Sequence, residues 1–261
     1  MAKTITTNPK VVIKNPGKLK LIFQALSSTM DEVNIRLDTL GMSLRGMGNS
    51  NVTLTDILLP VSSFEEFPKI EAGDDGIKFR IKLADVIKVL GRSKPEDIVD
   101  FELTSRTWNI IIHSKYTKKF ELSMTAFDPG QDKMPKVTYS NELHVGPAVL
   151  DEILKDIKLI SETIQIEIKD QKVTINGKAR DQNSGTMLDF FSEEPVLKVV
   201  RSENDASSHY ALAMFESLVS TLKSLDTTVE IELDNKTPMR LAYKVKDFGS
   251  LHHFVAPFIK D

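Results

Sequence analysis

The sequence predicts an α+β protein built from two similar domains in tandem. A helical pattern followed by alternating strand patterns occurs twice, with equivalent positions separated by about 131 residues. Strand patterns outnumber helical ones in both copies, which favours sheets with the helices packed on one face. A length of 261 residues accommodates two domains of ordinary size.

The first helix of each copy is predicted by an apolar stripe at positions i, i+3, i+4 and i+7. The stripe consists of Leu19, Ile22, Phe23 and Leu26 in the first copy and of Leu150, Ile153, Leu154 and Ile157 in the second. The strands that follow keep the same spacing, so that Val33, Ile35, Leu37, Met42 and Leu44 correspond to Ile164, Ile166, Ile168, Val173 and Ile175. The copied unit therefore contains both a helix and its strands.

A second helix is predicted in each copy, again from apolar residues at helical spacing. These residues are Leu83, Val86, Ile87 and Leu90 in the first copy and Ala211, Met214, Phe215 and Leu218 in the second. Alternation in Val99–Leu103 and Val229–Leu233 predicts a strand after each of these helices. The spacing drifts by a few residues here, as loop insertions would produce.

A linker is predicted between the copies. Residues 125–139 contain two prolines and a glycine among polar residues, a composition typical of extended chain. The predicted organisation is a first domain over 1–124, a linker over 125–139 and a second domain over 140–261. Phe127 and Met134 are the conspicuous apolar residues of the linker. They either pin it to the body of the protein or line one wall of a partner-binding groove.

Composition excludes several classes of protein. The chain has no cysteine, which excludes disulfides and thiolate metal sites. Its first ten residues lack the apolar core of a signal peptide and no apolar run reaches membrane-spanning length, so a soluble intracellular protein is expected. The net charge of −3 argues against a simple basic nucleic-acid binder. Any contact with DNA must depend on local placement of charge.

Two segments carry a resemblance to a known family. Residues 31–54 read DEVNIRLDTLGMSLRGMGNSNVTL, and residues 243–261 read YKVKDFGSLHHFVAPFIKD, in which a glycine-centred turn leads to an aromatic residue and an Ala-Pro pair. Together with the repeat and the linker, they resemble the sliding clamps of the proliferating cell nuclear antigen (PCNA) family of archaea and eukaryotes. The absence of an acidic tail after the Ala-Pro turn favours an archaeal source.

The resemblance implies a non-enzymatic ring. Three two-domain subunits would close head to tail, with helices lining a central hole and antiparallel sheets outside. Double-stranded DNA would pass through the hole without sequence preference. A clamp loader, DNA polymerase, flap endonuclease and DNA ligase would bind through short peptide motifs. No cofactor, metal or membrane is implied, and the location would be cytoplasm or nucleoid in an archaeon and nucleus in a eukaryote.

Basic residues on the helices are the predicted DNA contacts. Lysines on the outer face of a single helix are usually only solvated, but the resemblance places several of these towards DNA. The candidates are Lys18, Lys20, Lys82, Lys88 and Arg92 in the first copy and Lys155, Lys158 and Lys223 in the second. Carboxylates at Asp151, Glu152, Asp156 and Glu216 dilute the charge of the second copy. The first-copy cations are therefore the stronger candidates.

Two strands are the predicted subunit contacts. Residues 186–191, TMLDFF, are apolar on both faces, which suits either a buried central strand or an edge that another chain covers. The resemblance pairs this segment with the strand around 116–122 of a neighbour. The candidates are Leu188, Phe190 and Phe191 on one side and Tyr116 and Phe120 on the other. Lys118 and Lys119 are complementary in charge to Asp189, Glu193 and Glu194, as a head-to-tail contact requires.

A groove for partner peptides is predicted by the positions of apolar residues in the family's pocket. The candidates are Met47, Asn51, Val52, Leu54, Phe127, Met134, Pro135, Pro238, Phe254, Ala256 and Pro257. Methionine and aromatic side chains form adaptable apolar surfaces that accept several peptides. Asn51 replaces a commonly basic or imidazole residue of the family, and Asp132 stands where some relatives have leucine. Partner preference is therefore expected to differ.

Other functions fit the sequence less well. It contains no Walker loop, dinucleotide fingerprint or nucleophile elbow. The adjacent His252 and His253 suggest a metal site, but neighbours on a strand point to opposite faces. The remaining alternatives are one subunit of a heterotrimeric clamp, a damage-signalling relative, and a monomeric scaffold that binds peptides without encircling DNA.

Overall fold

The computed structural model describes residues 8–71, 73, 75–94, 96–178, 187–191 and 197–258. These residues form two compact units. Unit 1 contains the described residues of 1–46, 56–133 and 247–249, and unit 2 those of 47–55, 134–246 and 250–261. None of the helices in these ranges combines the length and apolar character that a membrane crossing requires.

Unit 1 is built on two antiparallel sheets that alternate buried and exposed residues along most strands. One sheet has the order β5-β1-β7-β8-β9, with β1 Lys10–Ile13, β5 Phe64–Glu66, β7 Ile98–Leu103, β8 Thr107–His113 and β9 Thr117–Ser123. The other has the order β4-β3-β2-β6, with β2 Glu32–Asp38, β3 Gly41–Met47, β4 Thr53–Pro60 and β6 Ile77–Lys82. The β2–β3 hairpin pairs Ile35 with Leu44 and Leu37 with Met42, which puts four apolar residues on the buried face.

Two helices cover the core of unit 1. Helix α1 spans Pro16–Ser27 and helix α2 spans Leu83–Leu90, and the two pack against each other. Helix α1 begins sharply because Asn15 accepts a hydrogen bond from the Lys18 backbone N–H at 3.0 Å and proline occupies the first turn. Its predicted stripe of Leu19, Ile22, Phe23 and Leu26 is buried, which confirms the helical pattern. The core beneath it centres on Trp108, whose ring lies 4.5 Å from that of Phe101.

Unit 2 repeats this plan. Its sheets have the orders β14-β10-β16-β17-β18 and β13-β12-β11-β15. The strands of the first are β10 Asn141–Val145, β14 Leu197–Ser202, β16 Val229–Leu233, β17 Met239–Val245 and β18 Gly249–Val255, and those of the second are β11 Thr163–Lys169, β12 Lys172–Lys178, β13 Met187–Phe191 and β15 Ala206–Ala211. Helix α3 spans Pro147–Lys158 and packs against helix α4, Glu216–Leu222. The predicted α+β class and its duplication are confirmed strand by strand.

The second helix of unit 2 begins later than the sequence pattern predicts. Ala211 still pairs with Thr163 in the β11–β15 ladder, and a 3-10 turn follows at Leu212–Met214. Phe215 has a φ of −142°, so helix α4 begins only at Glu216. The buried stripe is therefore Phe215, Leu218, Val219 and Leu222 rather than Ala211, Met214, Phe215 and Leu218. The ladder holds Ala211 in extended backbone and displaces the stripe by about one turn.

Candidate nucleic-acid and partner interfaces

The basic residues of unit 1 lie on the outer faces of its two helices. Lys18 and Lys20 flank the buried Leu19 on α1 and are partly buried, whereas Lys82, Lys88 and Arg92 are exposed on and beside α2. Among the described residues, none of these five cations has an ion-pair partner within 4.0 Å. Helix α1 carries no carboxylate at all. No described carboxylate thus neutralises these cations, although the Lys18 ammonium lies 5.8 Å from the centre of the Phe248 ring.

The basic residues of unit 2 are paired with carboxylates. The Lys155 ammonium lies 2.7 Å from Asp151 Oδ2, and the Lys223 ammonium lies 3.4 Å from the same oxygen. Lys158 pairs with Glu216 at 2.7 Å, which joins helices α3 and α4. The predicted DNA contacts therefore fall into two classes, and the ion pairs name the carboxylate that each second-copy lysine meets.

The strands predicted to form subunit contacts are both sheet edges. Strand β9 pairs with β8 and ends the five-stranded sheet of unit 1. Strand β13 pairs with β12, with Phe190 opposite Ile175 and Leu188 opposite Gly177, and ends the four-stranded sheet of unit 2. Phe191 lies opposite Thr174 in the same ladder. Among the described strands β13 therefore lies at a sheet edge, which favours the edge interpretation over a central strand.

Residues at the β8–β9 hairpin are accessible for contact. Tyr116 precedes β9 and is 67 % exposed, with the Lys118 ammonium 5.1 Å from its ring centre. Phe120 lies within β9 and is half-buried. The acidic residues predicted opposite Lys118 and Lys119 include Glu193 and Glu194, which lie outside the described residues.

The candidate peptide groove is assembled within unit 2 around a tight loop. The Thr53 carbonyl accepts a hydrogen bond from the Gly48 N–H at 2.9 Å, and Asn51 adopts a φ of 57° that asparagine tolerates. The Ala256 N–H donates to the Val52 carbonyl at 2.8 Å, so the loop is bonded to the C-terminal segment. Asn51 and Val52, which are far from Ala256 in sequence, thus lie beside the C-terminal segment.

Burial sorts the groove candidates into exposed and supporting residues. Val52 is 40 % exposed, and Met47, Met134, Pro135, Pro238, Ala256 and Pro257 are partly exposed. Leu54 and Phe254 are 8 % and 6 % exposed. These two side chains therefore support the surface from below and offer a peptide little direct contact.

The groove surface includes residues that sequence reasoning missed. The Phe258 N–H donates to the His209 carbonyl at 2.7 Å, and Phe258 is 54 % exposed. The Ser50 hydroxyl lies 3.4 Å from the sulfur of Met214. Phe258 follows the Ala-Pro pair directly and could have been included on that ground. The contributions of His209 and Met214 had no sequence signal, because they arise from pairing between distant segments.

A buried histidine lies beneath this surface. The Thr55 hydroxyl and His253 Nδ1 are hydrogen-bonded at 2.8 Å, and His253 Nε2 lies 3.1 Å from the Met214 carbonyl oxygen, to which it donates. Burial lowers the pKa of His253 to about 4, against a smaller opposing effect of the Met214 carbonyl. His253 is therefore neutral at physiological pH and joins β4, β18 and the 3-10 turn.

The two ends of the linker are fastened differently. In unit 1, Asn34 bonds both backbone groups of Asp128, at 2.7 and 3.1 Å. Arg45 donates to the carbonyl and the carboxylate of Asp132, and Arg36 donates to the same carboxylate at 2.9 Å. Phe127 belongs to unit 1, with the Arg36 guanidinium 5.9 Å from its ring.

The far end of the linker belongs to unit 2. The Tyr139 hydroxyl donates to the Pro238 carbonyl at 2.8 Å, and burial raises the Tyr139 pKa to about 12, which keeps that proton in place. Within the described ranges, no three His, Asp or Glu side chains converge as a metal ion would need.

Comparison with known proteins decides the family. A sequence model of the Rad9 family matches residues 19–246, most of the chain. The chain belongs to the Rad9 clamp family. A DNA polymerase sliding clamp of Nitrosopumilus maritimus is 24 % identical to this Rad9-family chain over 242 residues, covering 93 % of the chain and 95 % of the relative.

Solved structures agree with the fold of this Rad9-family chain. PCNA from Entamoeba histolytica superimposes with a TM-score of 0.85 at 19 % identity, over 97 % of this chain and 100 % of that one. A chain of the PCNA2–PCNA3 complex from Sulfolobus tokodaii gives 0.82 at 21 % identity, over 95 % and 98 %. The predicted resemblance to sliding clamps is confirmed.

Proposed function

We infer that this chain is a DNA sliding clamp, a non-catalytic ring subunit that encircles duplex DNA and tethers polymerase and other DNA enzymes. Its family and the names of its relatives support this function. The observation that supports ring formation is a strand pairing that occurs once within the chain and that the repeat predicts a second time between chains. One strand of each repeat has a free edge among the described strands, although the equivalent strand of the other repeat is paired.

The satisfied pairing joins β4 to β18. In unit 2, Val52 bonds Ala256, and Thr55 bonds His253. In unit 1, the Leu58 carbonyl oxygen lies so close to Gly249 that a Cβ on residue 249 would overlap that oxygen. Gly249 itself has a φ of 150°. The contacts progress in opposite directions along the two strands, as in an antiparallel pair.

The unsatisfied pairing follows from the repeat. The equivalent of β4 in the second repeat is β13, and the equivalent of β18 in the first repeat is β9. Both are free edges among the described strands. A β9–β13 contact between chains would reproduce the β4–β18 contact within a chain. Such a contact is heterologous, so it propagates from subunit to subunit until the ring closes.

We propose closure as a trimer, in line with the resemblance to PCNA. Six similar domains would then alternate around the ring. One solved relative is described as a PCNA2–PCNA3 complex, and the same edges would serve a heterotrimer with related chains. The mass of the purified chain in solution separates these options, because a homotrimer assembles alone and a heterotrimer subunit does not.

The groove in unit 2 is proposed as the docking site for short peptides of the clamp loader, polymerase, flap endonuclease and ligase. Met47, Met134, Pro238 and Pro257 supply its partly exposed apolar surface. The adjoining chain is held by the bonds of Tyr139 and Ala256, so a peptide would meet an ordered surface. Preorganisation of this kind reduces the entropy lost on binding.

Encirclement is tested by topology. The clamp is loaded onto nicked circular DNA and onto the same DNA cut once, and retention is followed by gel filtration. Retention on the circle and loss from the linear form are expected, because a ring slides off a free end. Blocking both ends of the linear form with bound protein should restore retention. Equal retention on open linear and circular DNA would contradict encirclement.

A further inference from the structure

The helices of the two repeats differ in how their lysines are used. In unit 1 the helix cations have no ion-pair partner among the described residues, and α1 has no carboxylate. Helix α3 carries Asp151, Glu152 and Asp156 against two lysines. Two equivalent helices at the predicted DNA surface thus have opposite charge balance, which the duplication alone would not produce.

Asp151 is the centre of the difference. Its side chain is 6 % exposed, yet it faces the ammonium groups of Lys155 and Lys223, which are about half exposed. Burial by itself would raise the pKa of Asp151, but hydrogen bonds from Lys155, Ser220 and Lys223 lower it below its usual range. The carboxylate therefore stays charged, and it holds one lysine from α3 and one from the end of α4.

Glu216 acts in the same way on the remaining lysine. Its side chain is 19 % exposed and accepts a hydrogen bond from Lys158 at 2.7 Å. All three candidate cations of the second repeat are thus occupied. A phosphate that approached them would have to displace a carboxylate or lie next to it, and the two anions repel each other.

We propose that Asp151 and Glu216 silence the second repeat, so that duplex DNA is held by the lysines and arginine of the first repeat alone. This inference rests on the proposed DNA-binding function and specifies which half of each subunit performs it. One basic patch per subunit gives fewer simultaneous phosphate contacts than two would. Asp151 and Glu216 are positioning residues that limit how tightly the clamp binds duplex DNA.

Neutral replacement of the carboxylates tests the proposal as a gain of binding. Each phosphate contact changes affinity by about threefold between 50 and 200 mM salt. Asp151→Asn should therefore tighten binding of a fluorescein-labelled 30-base-pair duplex and steepen its salt dependence by about one contact for each lysine released, so that its gain over the unmodified chain is at least about threefold larger at 50 mM than at 200 mM salt. Glu216→Gln should act similarly through Lys158. Because Glu216 is more exposed, this variant keeps the test available if Asp151→Asn folds poorly.

A double variant with unchanged net charge and a lysine variant in unit 1 provide the controls. The double variant Asp151→Asn with Lys155→Gln leaves net charge unchanged and releases Lys223 alone, so it should bind duplex more weakly than Asp151→Asn does. Lys20→Gln, which removes a cation with no ion-pair partner among the described residues, should weaken binding and flatten the salt dependence by about one contact. The proposal is overturned if the double variant weakens binding as much as Lys20→Gln, or if neither carboxylate variant tightens it.

Failure of this inference is distinguishable from failure of the proposed function. Encirclement is scored by retention on circles against linear DNA, which depends on ring closure. Silencing is scored by the affinity and salt dependence of a short linear duplex, which depend on local charge. A clamp that stays on circles while Asp151→Asn and Glu216→Gln leave duplex affinity unchanged would keep its function and refute the silencing.

Discussion

Protonation of His253 should destabilise unit 2 well before ordinary acid denaturation. The ring is buried and neutral, with its pKa lowered to about 4, whereas the histidine of an unfolded chain has its ordinary pKa of 6.5. The folded pKa lies below the unfolded one, so the unfolded chain binds the proton more tightly. Stability is therefore constant above about pH 6.5 and falls as the pH drops towards 4.

The magnitude follows from the two pKa values. With 6.5 and about 4, the linkage relation gives a loss of about 2 kcal/mol at pH 5 and of about 3 kcal/mol once both forms are protonated. Both hydrogen bonds of the ring, to Thr55 and to the Met214 carbonyl, lie beneath the candidate groove. Peptide affinity should accordingly decrease over the same pH range.

Two measurements check this prediction. Urea unfolding at fixed protein concentration should show the loss between pH 7 and pH 5, and His253→Gln should remove most of that pH dependence. His144→Gln is the matched control, since His144 is half-buried beside Glu142 and its loss should leave the His253 effect intact. Carbon-13 labelling of the histidine rings gives the titration directly. A His253 signal that titrates near 6.5, or a pH dependence unchanged in His253→Gln, would refute the reasoning.

The other predictions concern assembly, peptide binding and the linker. Phe120→Asp or Phe190→Asp should convert the ring to monomers with folded units, because each puts a charge on an edge strand; a trimer by sedimentation would show that the interface lies elsewhere. Met134→Ala and Pro257→Ala should each weaken a polymerase-derived peptide by about 1–3 kcal/mol in calorimetry without disturbing assembly; unchanged affinity in both would place the groove elsewhere. Asp132→Ala should speed proteolysis within the linker, because it removes the carboxylate that two arginines hold, and cleavage at the original rate would contradict that anchoring role.

The secondary structure of this chain is largely readable from its sequence because the repeat tests each pattern twice. The stripes of α1 and α3 and the paired strands β2–β3 and β11–β12 lie where their periodicity predicts. The stripe at Phe215 and Leu218 is displaced because its position depends on contacts outside its own segment. Whether Ala211 is helical depends on its pairing with Thr163, which periodicity within the segment does not contain.

The sequence predicts which residues belong to each candidate surface, but it does not predict which of them are exposed or which form ion pairs. Sequence pattern and family resemblance selected both Lys20 and Lys155 and favoured Lys20, but only the structure shows that Lys155 is bound to Asp151 while Lys20 has no ion-pair partner among the described residues. They likewise selected Leu54 and Val52 alike, although only Val52 is well exposed. Exposure and pairing depend on the side chains that surround a residue in space.

By itself, the sequence determined the duplication, the α+β class and the resemblance to clamps, since these follow from periodic apolar residues and from contiguous motifs. Only the tertiary structure decided that β9 and β13 are edges of the described sheets, that Thr55 and His253 share a buried hydrogen bond, and that Lys223 joins Asp151. Each of these depends on residues distant in sequence. Chain periodicity constrains which face of an element is buried, but folding alone determines which distant groups meet there.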